Sequence, residues 1–219
     1  MSLVMFDLDG TLVDTVEELT QAVNLTLADF GQVNVDESQV RTWIGQGTAS
    51  LMQHAQQGAP HLSTFEVLSR FKQHYIDVVG TSSQLYPMVE ETLQLLRASG
   101  IKLAIITNKE QTFTDQVLRQ HDLTQYFDLV ISGDSLEVKK PDRKVVDFCL
   151  QILNKQTTNS LFVGDSATDI ATARNAGVIC WTVPYGYNNG RDIELDKPDR
   201  VIENISLVGE FFNNVRNKR

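Results

Sequence analysis

The sequence predicts an α/β fold: a three-layer, Rossmann-like parallel sheet with an inserted helical bundle. Short apolar runs alternate with helical periodicity along most of the chain, which is typical of a parallel sheet covered by helices on both faces. The runs 103–106 and 161–163 are apolar at every position, as strands buried on both faces are. One stretch near the N-terminus has helical patterns only, and it predicts the insertion.

The elements of the alternating part can be placed in order. Strands are expected at 3–6, 102–107, 129–131, 160–163 and 179–183. Helices are expected at 89–98, 113–121, 144–153 and 168–175, followed by a short strand at 200–202 and a last helix at 207–214. In such sheets ligands bind beyond the carboxyl ends of the strands, so the polar residues that follow each strand are the functional candidates.

Residues 15–84 break the alternation and predict four short helices, at 16–28, 37–42, 49–56 and 65–79. The turns between them carry Gly31, Gly45, Gly47, Gly58 and Pro60. We therefore expect an α/β core made of residues 1–14 and 85–219, with a small helical domain inserted at 15–84.

Composition excludes several classes of protein. The chain has 219 residues, of which 42% are hydrophobic and 21% charged, and this suits a globular protein in water. No apolar run approaches the roughly 20 residues of a membrane span, and no basic segment of a secretory signal precedes the first strand, so we expect a cytoplasmic protein. The formal charge of −9 argues against nucleic acid and anionic membranes as partners. Cys149 and Cys180 lack metal-ligand spacing and are expected as buried thiols.

Two carboxylates, Asp7 and Asp9, follow the first predicted strand in the run FDLDGT. Strand residues two apart face the same way, so both side chains can point into one pocket. Two like charges held this close favour a cation between them, and Mg²⁺ is a hard, oxygen-binding cation that suits such a site. A carboxylate beside Mg²⁺ can attack phosphorus and become an aspartyl-phosphate. Asp-x-Asp-Gly is also a common turn sequence, which leaves a structural role open for this segment alone.

Two further polar segments follow predicted strands. Thr107, Asn108 and Lys109 offer a hydroxyl and main-chain N–H groups to a phosphate oxygen, unless Thr107 or Asn108 simply starts a helix. Lys140, placed ahead of a proline, is a point charge that can meet both a phosphate and the nucleophile. The simpler alternative is that Lys139 and Lys140 form a solvated lysine pair.

A last polar segment, GDSATD, follows the run 161–163. Asp165 is placed to complete the cation site with Asp7, and Asp169 is placed on the first turn of a helix, where it can orient Lys140. Ordinary capping of that helix by an aspartate is the alternative.

Taken in order, these segments resemble the four-motif pattern of the haloacid dehalogenase superfamily of phosphohydrolases. The resemblance covers essentially the whole chain and implies that the inserted helices form the α-helical cap of that family. The runs VRTWIGQG (40–47), NK (108–109), VKKP (138–141) and YGYNNG (185–190) are similar to segments of the bacterial phosphoglycolate phosphatases within it. The chain departs from that group at Arg143, where a second proline is usual, although Asp142 can still cap the next helix.

The resemblance implies a Mg²⁺-dependent phosphatase for a small phosphorylated metabolite, with 2-phosphoglycolate as the expected substrate. Asp7 would attack phosphorus, while Asp9 would protonate the leaving alkoxide and then activate water. The expected Mg²⁺ ligands are the side chains of Asp7 and Asp165 and the main-chain carbonyl of Asp9. Thr107 and Lys140 would hold phosphate oxygens.

The remaining expected site residues surround that centre. Asn108 would bind substrate, and Asp169 would orient the lysine that holds phosphate. Gly45 and Gly47 permit a close approach of the inserted helices to the site. Arg41 and Lys109 are the two candidates for a substrate carboxylate, since arginine pairs bidentately with carboxylates. A monomer or a weak homodimer is expected.

Other readings stay open at this point. The nearest is a sugar-phosphate phosphatase or a phosphomutase of the same superfamily, which would return the phosphoryl group to its product. A phospho-acceptor signalling module also uses a strand-end aspartate with Mg²⁺, but it lacks a helical insertion and a second acid like Asp9. A dehalogenase has no use for Asp9 or Mg²⁺. An inert binding protein is the last alternative, and it is disfavoured because the sequence retains every reactive position.

Overall fold

The structure is a computed structural model that describes residues 2–57 and 62–216 of the chain. The strands in these ranges are β1 (Leu3–Phe6), β2 (Val13–Asp14), β3 (Gln84–Leu85), β4 (Lys102–Ile106), β5 (Leu129–Ile131), β6 (Ser160–Gly164), β7 (Ile179–Thr182) and β8 (Arg200–Val201). The α-helices are α1 (Val16–Asp29), α2 (Glu37–Arg41), α3 (Thr48–Ala55), α4 (Thr64–Val78), α5 (Val89–Ala98), α6 (Gln111–Gln120), α7 (Lys144–Leu153), α8 (Ala167–Ala176) and α9 (Ser206–Arg216). Gly58 and Pro60, which are predicted to mark a turn, lie outside the described residues.

Six strands form one parallel sheet in the order β5-β4-β1-β6-β7-β8. The predicted fold class is therefore confirmed. The central strand β1 pairs on one side with β4 and on the other with β6, and its last residue, Phe6, is level with Ile105 and Val163. The carboxyl ends of these three strands therefore lie side by side, and the polar residues that follow them meet at one edge of the sheet.

Side chains along each strand point alternately to the two faces of the sheet. Helices pack over each face, and the protein therefore has two hydrophobic cores. Val4 and Phe6 belong to the larger core, which also contains buried residues of α5, α6 and α9. Leu3 and Met5 point the other way, into a core formed with buried residues of α7 and α8. The second core also contains Cys149 and the sheet residue Cys180, and both are buried free thiols as predicted.

The helices α1 to α4 occupy the chain between β2 and β3, and we call them the helical insertion. The strands β2 and β3 pair antiparallel, with Val13 opposite Leu85 and Asp14 opposite Gln84. This two-stranded ribbon marks where the chain leaves the sheet and returns to it. This ribbon is not apparent from the sequence, because strands of two residues carry no periodicity. Within the described ranges, no helix has the length and apolar character that a membrane crossing requires.

The predicted helix bounds differ from the observed ones by two residues at most. The helix α6 begins at Gln111 after the N-cap residue Glu110, so the alternative in which Thr107 or Asn108 starts a helix is wrong. The Asp142 carboxylate accepts a hydrogen bond from the Lys144 N–H at 2.9 Å and so caps the start of α7 as expected.

Candidate active site

Asp7 lies directly beyond the carboxyl end of β1 and is only 4% exposed. Its Oδ1 accepts a hydrogen bond from the Leu8 N–H at 2.7 Å, and its Oδ2 lies 2.8 Å from the Nζ of Lys140. Lys140 is itself 3% exposed, so the alternative of a solvated lysine pair is wrong for this residue. The neighbouring Lys139 is exposed, as that alternative expects.

Asp169 orients Lys140. The Nζ of Lys140 donates to Asp169 Oδ1 at 2.7 Å. The other oxygen, Oδ2, accepts hydrogen bonds from the Ser166 hydroxyl at 2.6 Å and the Ser166 N–H at 3.1 Å, which completes a capping box at the start of α8. Asp169 therefore caps the helix and also accepts a hydrogen bond from the ammonium group of Lys140.

Asp165 completes a buried acidic cluster with Asp7 and Asp169, in which one oxygen of each carboxylate lies within 4.8 Å of the others. The Asp165 carboxylate is held by the Thr11 hydroxyl, which donates to Oδ1 at 2.7 Å, and by the Tyr187 N–H, which donates to Oδ2 at 2.7 Å. Its position therefore depends on two loops, one after β1 and one after β7.

Glycine is required where those loops approach Asp165. A Cβ on Gly186 would lie 2.2 Å from Asp165 Oδ2, and a Cβ on Gly10 would lie 2.3 Å from the same atom. Gly10 also has φ +84°, a backbone conformation that other residues rarely adopt. These two glycines let the main chain close around the carboxylate.

The buried charges of this cluster do not balance. Burial raises the pKa of Asp7 to about 7, with the Lys140 ammonium opposing the shift and Asp169 adding to it. The pKa of Asp165 is raised well above its usual range, mainly by burial and to a smaller extent by repulsion from Asp169 and Asp7. For Lys140 burial alone would lower the pKa, but attraction to Asp169 and Asp7 outweighs burial and raises it.

Three buried carboxylates thus face one ammonium group, and the surplus negative charge favours a further cation. The oxygens of Asp169 are already engaged by Lys140 and Ser166. Asp7 and Asp165 are therefore the better ligands, and their carboxylate oxygens are the donors that hard divalent cations prefer. The residues present fit Mg²⁺.

Asp9 faces a different partner. The Nζ of Lys109 donates to both carboxylate oxygens of Asp9 at 2.9 Å, and the Thr15 hydroxyl donates to Oδ1 at 2.8 Å. The Lys109 ammonium also lies 5.0 Å from the centre of the Tyr75 ring. Lys109 is a predicted candidate for substrate binding, but its pairing with Asp9 is not apparent from the sequence.

A cavity of about 30 Å³ lies between the sheet edge and the helical insertion. Asp7, Asp9, Thr107, Lys109 and Tyr75 are among the residues that line it. The other lining residues are Leu19, Ile44, Gly45, Gly47, Thr48, Leu51 and Asn108. The cavity therefore brings the predicted nucleophile and acid together with the predicted glycines of the insertion.

The amide of Asn108 joins the insertion to the core. Its Nδ2 donates to the Gly45 carbonyl at 3.0 Å and to the Lys140 carbonyl at 3.2 Å, while its Oδ1 accepts from the Lys140 N–H at 3.0 Å. Gly45 and Gly47 have φ values of 113° and 88°, and a Cβ on Gly47 would lie 3.1 Å from the Asn108 carbonyl oxygen. Asn108, expected to bind substrate, thus holds two loops around the site with its side chain.

Arg41 is not brought to the cavity. Its guanidinium pairs with Asp14 Oδ2 at 3.3 Å and lies 5.0 Å from the centre of the Tyr187 ring, and about a third of its side chain, 34%, is exposed.

Two buried residues that are not predicted from the sequence lie near the site. Tyr187 belongs to the run 185–190 that marks the family resemblance, whereas nothing in the pattern singles out Glu18, a buried carboxylate in α1.

Glu18 ties the insertion together beneath the cavity. Its carboxylate accepts hydrogen bonds from the Tyr75 hydroxyl at 3.1 Å and from the Gly80 N–H at 2.6 Å. Burial raises its pKa, although the nearby Lys109 opposes that shift. Glu18 of α1 is thereby bonded to Tyr75, which lines the cavity, and to the main chain that follows α4.

Comparisons with known proteins identify the family of this chain. The profile of the haloacid dehalogenase-like hydrolase family matches residues 4–183. Phosphoglycolate phosphatase 1 of Pseudomonas aeruginosa is 40% identical over 209 residues, which cover 93% of this chain and 76% of that protein. The phosphoglycolate phosphatase of Nitrosospira multiformis is 39% identical over 199 residues, 88% of either chain. The crystal structure of a predicted phosphoglycolate phosphatase from Haemophilus somnus 129pt superposes with a TM-score of 0.92 at 32% identity, covering 96% of this chain and 97% of that one.

The chain therefore belongs to the haloacid dehalogenase-like hydrolase family. The predicted enzyme class, a phosphatase, is confirmed by the relatives named above. The alternatives outside that class, a phospho-acceptor signalling module and an inert binding protein, find no support in these relatives.

Proposed function

We propose that the protein is a Mg²⁺-dependent phosphomonoester hydrolase that acts through an aspartyl-phosphate and converts 2-phosphoglycolate to glycolate and phosphate. The observation that carries the proposal is the buried Asp7 carboxylate, which lies 2.8 Å from Lys140 and within the same acidic cluster as Asp165. The names of the relatives that cover most of this chain support the choice of substrate.

A phosphate dianion that approaches this cluster meets strong repulsion. Two unit charges about 4 Å apart interact by roughly 4 kcal/mol at an effective dielectric constant of about 20. Asp7 and Asp165 are proposed to hold Mg²⁺ together with the Asp9 carbonyl. When bound, the ion supplies the positive charge that offsets this repulsion and polarises the phosphoryl group.

The chain's own residues then divide the reaction between them. A carboxylate oxygen of Asp7 attacks phosphorus as the bond to the leaving oxygen breaks, and Asp9 donates a proton to that oxygen. In the second step Asp9 takes a proton from the water that attacks the phosphorus, which releases phosphate and restores Asp7. Thr107 and Lys140 bind the phosphoryl oxygens throughout, so most of the catalysis is positioning and charge neutralisation.

Lys109 is the proposed partner for the carboxylate of the substrate. It is the one cationic side chain among the described residues that line the cavity. Arg41, the other candidate, is paired with Asp14 instead. Because Lys109 also pairs with Asp9, the leaving group and its proton donor would be held by the same ammonium group.

The helical insertion is proposed to move when substrate enters. A cavity of about 30 Å³ has room for only about two water molecules, which is less than any phosphomonoester needs. We infer that the insertion acts as a cap over the core of residues 1–14 and 85–219. Closure of such a cap excludes water and strengthens the interactions inside.

We further propose that the enzyme is cytoplasmic and that it is a monomer or a weak homodimer. The net charge of −9 supports a small metabolite rather than nucleic acid or an anionic membrane as its partner.

The proposal is tested by measuring phosphate release from a panel of small phosphomonoesters with Mg²⁺, in which 2-phosphoglycolate is compared with hexose phosphates. We expect 2-phosphoglycolate to have the highest kcat/KM, EDTA to abolish turnover and added Mg²⁺ to restore it. Preference for a hexose phosphate, or dependence on a sugar bisphosphate activator, would favour the sugar-phosphate phosphatase or the phosphomutase instead.

Replacing Lys109 with methionine tests the assignment of the leaving-group site. We expect kcat/KM for 2-phosphoglycolate to fall by about 100-fold more than kcat/KM for 2-hydroxyethyl phosphate, because only the former has a carboxylate for the ammonium group to bind. The ratio is the measure, since loss of the pair with Asp9 slows both reactions. Lys144→Met, at an exposed lysine of α7, is the control, and it should leave the ratio unchanged. An equal loss for both substrates in Lys109→Met would contradict the assignment.

A further inference from the structure

Tyr187 connects the helical insertion to Asp165. Its hydroxyl donates to Asp14 Oδ1 at 2.6 Å and accepts a hydrogen bond from the Thr15 N–H at 2.7 Å. Its own N–H donates to Asp165 Oδ2 at 2.7 Å. The residue is 2% exposed, so it is fixed at both ends inside the protein.

The contacts of the hydroxyl lie at the point where the insertion begins. Asp14 is the last residue of β2 and pairs with Gln84 of β3, and Thr15 is the N-cap residue of α1. A rotation of the insertion relative to the sheet must turn about this ribbon. A change in the direction in which α1 leaves the core would therefore displace the hydrogen-bond partners of the Tyr187 hydroxyl.

Arg41 adds a second contact from the insertion. This residue ends α2, pairs with Asp14 Oδ2 at 3.3 Å and lies over the Tyr187 ring at 5.0 Å. A cation over an aromatic face is attracted to it, and the same guanidinium meets the carboxylate that the phenol binds. Arg41 thus holds α2 against both Asp14 and the Tyr187 ring.

The loop around Tyr187 cannot shift without moving Asp165. A Cβ on Gly186 would overlap the Asp165 carboxylate, which shows how closely the main chain packs against it. The Tyr185 hydroxyl donates to the Thr11 carbonyl at 3.0 Å, and the Thr11 hydroxyl donates to Asp165 Oδ1. Close-packed groups of this kind transmit small displacements.

We propose that Tyr187 is a positioning residue that couples the orientation of the helical insertion to the carboxylate of Asp165. The coupling runs through the Thr15 N–H at the start of α1, through Asp14 beside it and through Arg41 of α2. The inference rests on the proposed function, in which Asp165 holds Mg²⁺ and the insertion moves to admit substrate. Its consequence is reciprocal: closure of the insertion orients Asp165 for the ion, and the bound ion favours closure.

The test compares Tyr187→Phe, Arg41→Gln and the double variant with the wild-type protein. Phenylalanine keeps the ring, its contact with Arg41 and the main-chain N–H, but it removes the hydrogen bonds of the hydroxyl to Asp14 and to the Thr15 N–H. The Mg²⁺ dissociation constant is measured by titration calorimetry and by the Mg²⁺-dependent shift in Tm. We expect Tyr187→Phe to weaken Mg²⁺ binding by roughly 10-fold, because partners that orient metal ligands typically matter to this extent.

Arg41→Gln is expected to weaken Mg²⁺ binding in the same direction by a smaller factor. The double variant should lose less Mg²⁺ affinity than the sum of the two single losses, because Arg41 acts partly through Asp14, whose bond to the phenol the first substitution has already removed. Arg41 is partly exposed, so Arg41→Gln carries the test if Tyr187→Phe does not fold.

Matched controls separate positioning from stability. Tyr126→Phe removes a buried phenol that donates to Glu90 at 3.1 Å, and Arg97→Gln removes a partly exposed pair with Asp128 at 2.8 Å, both away from the cluster. These variants should change Tm without changing the Mg²⁺ dissociation constant. A merely structural role for Tyr187 would give the same result as these controls.

Unchanged Mg²⁺ affinity in both test variants, or strictly additive losses in the double variant, would overturn the inference. If the wild-type protein binds Mg²⁺ and releases phosphate while the variants match it, only this inference fails. If the wild-type protein neither binds Mg²⁺ nor hydrolyses any phosphomonoester, the proposed function fails and the inference fails with it.

Discussion

Replacing Asp7 with asparagine is expected to reduce phosphate release by about 10⁴-fold or more, since an amide oxygen cannot form the phospho-enzyme. The measurement is steady-state turnover of 2-phosphoglycolate and of p-nitrophenyl phosphate with saturating Mg²⁺. Asp147→Asn, on the surface of α7, is the control and should retain full activity. Turnover of p-nitrophenyl phosphate by Asp7→Asn at the wild-type rate would end the assignment of Asp7 as nucleophile.

The same substitution is expected to leave the metal-free protein at least as stable as the wild type. Burial raises the folded-state pKa of Asp7 to about 7 from an ordinary value of 3.8, so the folded state binds the proton more tightly than the unfolded state. The free energy of unfolding of the wild type therefore falls as the pH rises from 3.8 to about 7. The Asp7→Asn variant does not lose stability in this way, because asparagine does not titrate. Lys140 keeps Asp169 as its partner at 2.7 Å. Melting curves at pH 8 should show a Tm equal to or above the wild-type value, and a clear decrease would contradict this account.

The parts of the fold that the sequence predicts are those with a repeated pattern. Strands β1, β4 and β6 are apolar at nearly every position, and the alternation of strands with helices places them in one parallel sheet. Residues that follow such strands must meet at one edge, which is why Asp7, Thr107 and Asp165 could be grouped from spacing alone. The ribbon of β2 and β3 has no such pattern, and it could not be found.

Side-chain partners that join distant segments are harder to predict than strand ends. Lys109 and Asp9 are 100 residues apart, and Tyr187 and Asp165 are 22 apart. Such contacts depend on how each loop returns to the sheet, which periodicity does not encode. Arg41 shows the consequence: its residue type fits a substrate carboxylate, but the fold gives it the carboxylate of Asp14.

Replacing Lys140 with methionine is expected to abolish activity and to destabilise the fold strongly, unlike the change at Asp7. The ammonium group is the shared partner of Asp7 at 2.8 Å and Asp169 at 2.7 Å, and methionine keeps only the apolar stem. Removing one partner of a buried ion pair costs about 3–5 kcal/mol, which for a chain of this length corresponds to a decrease in Tm of about 10 °C. Thermal melts without metal measure the loss, and Lys144→Met, an exposed lysine of α7, is the control.

The source of this destabilisation can be isolated with a second substitution. Without Lys140, the carboxylates of Asp7, Asp165 and Asp169 repel one another in a buried cluster with no ammonium group among them. Removing the charge of one of them should relieve part of that repulsion, so Asp7→Asn combined with Lys140→Met is expected to melt at a higher temperature than Lys140→Met alone. A double variant less stable than Lys140→Met would mean that lost packing of the lysine stem, rather than unbalanced charge, sets the stability of this site.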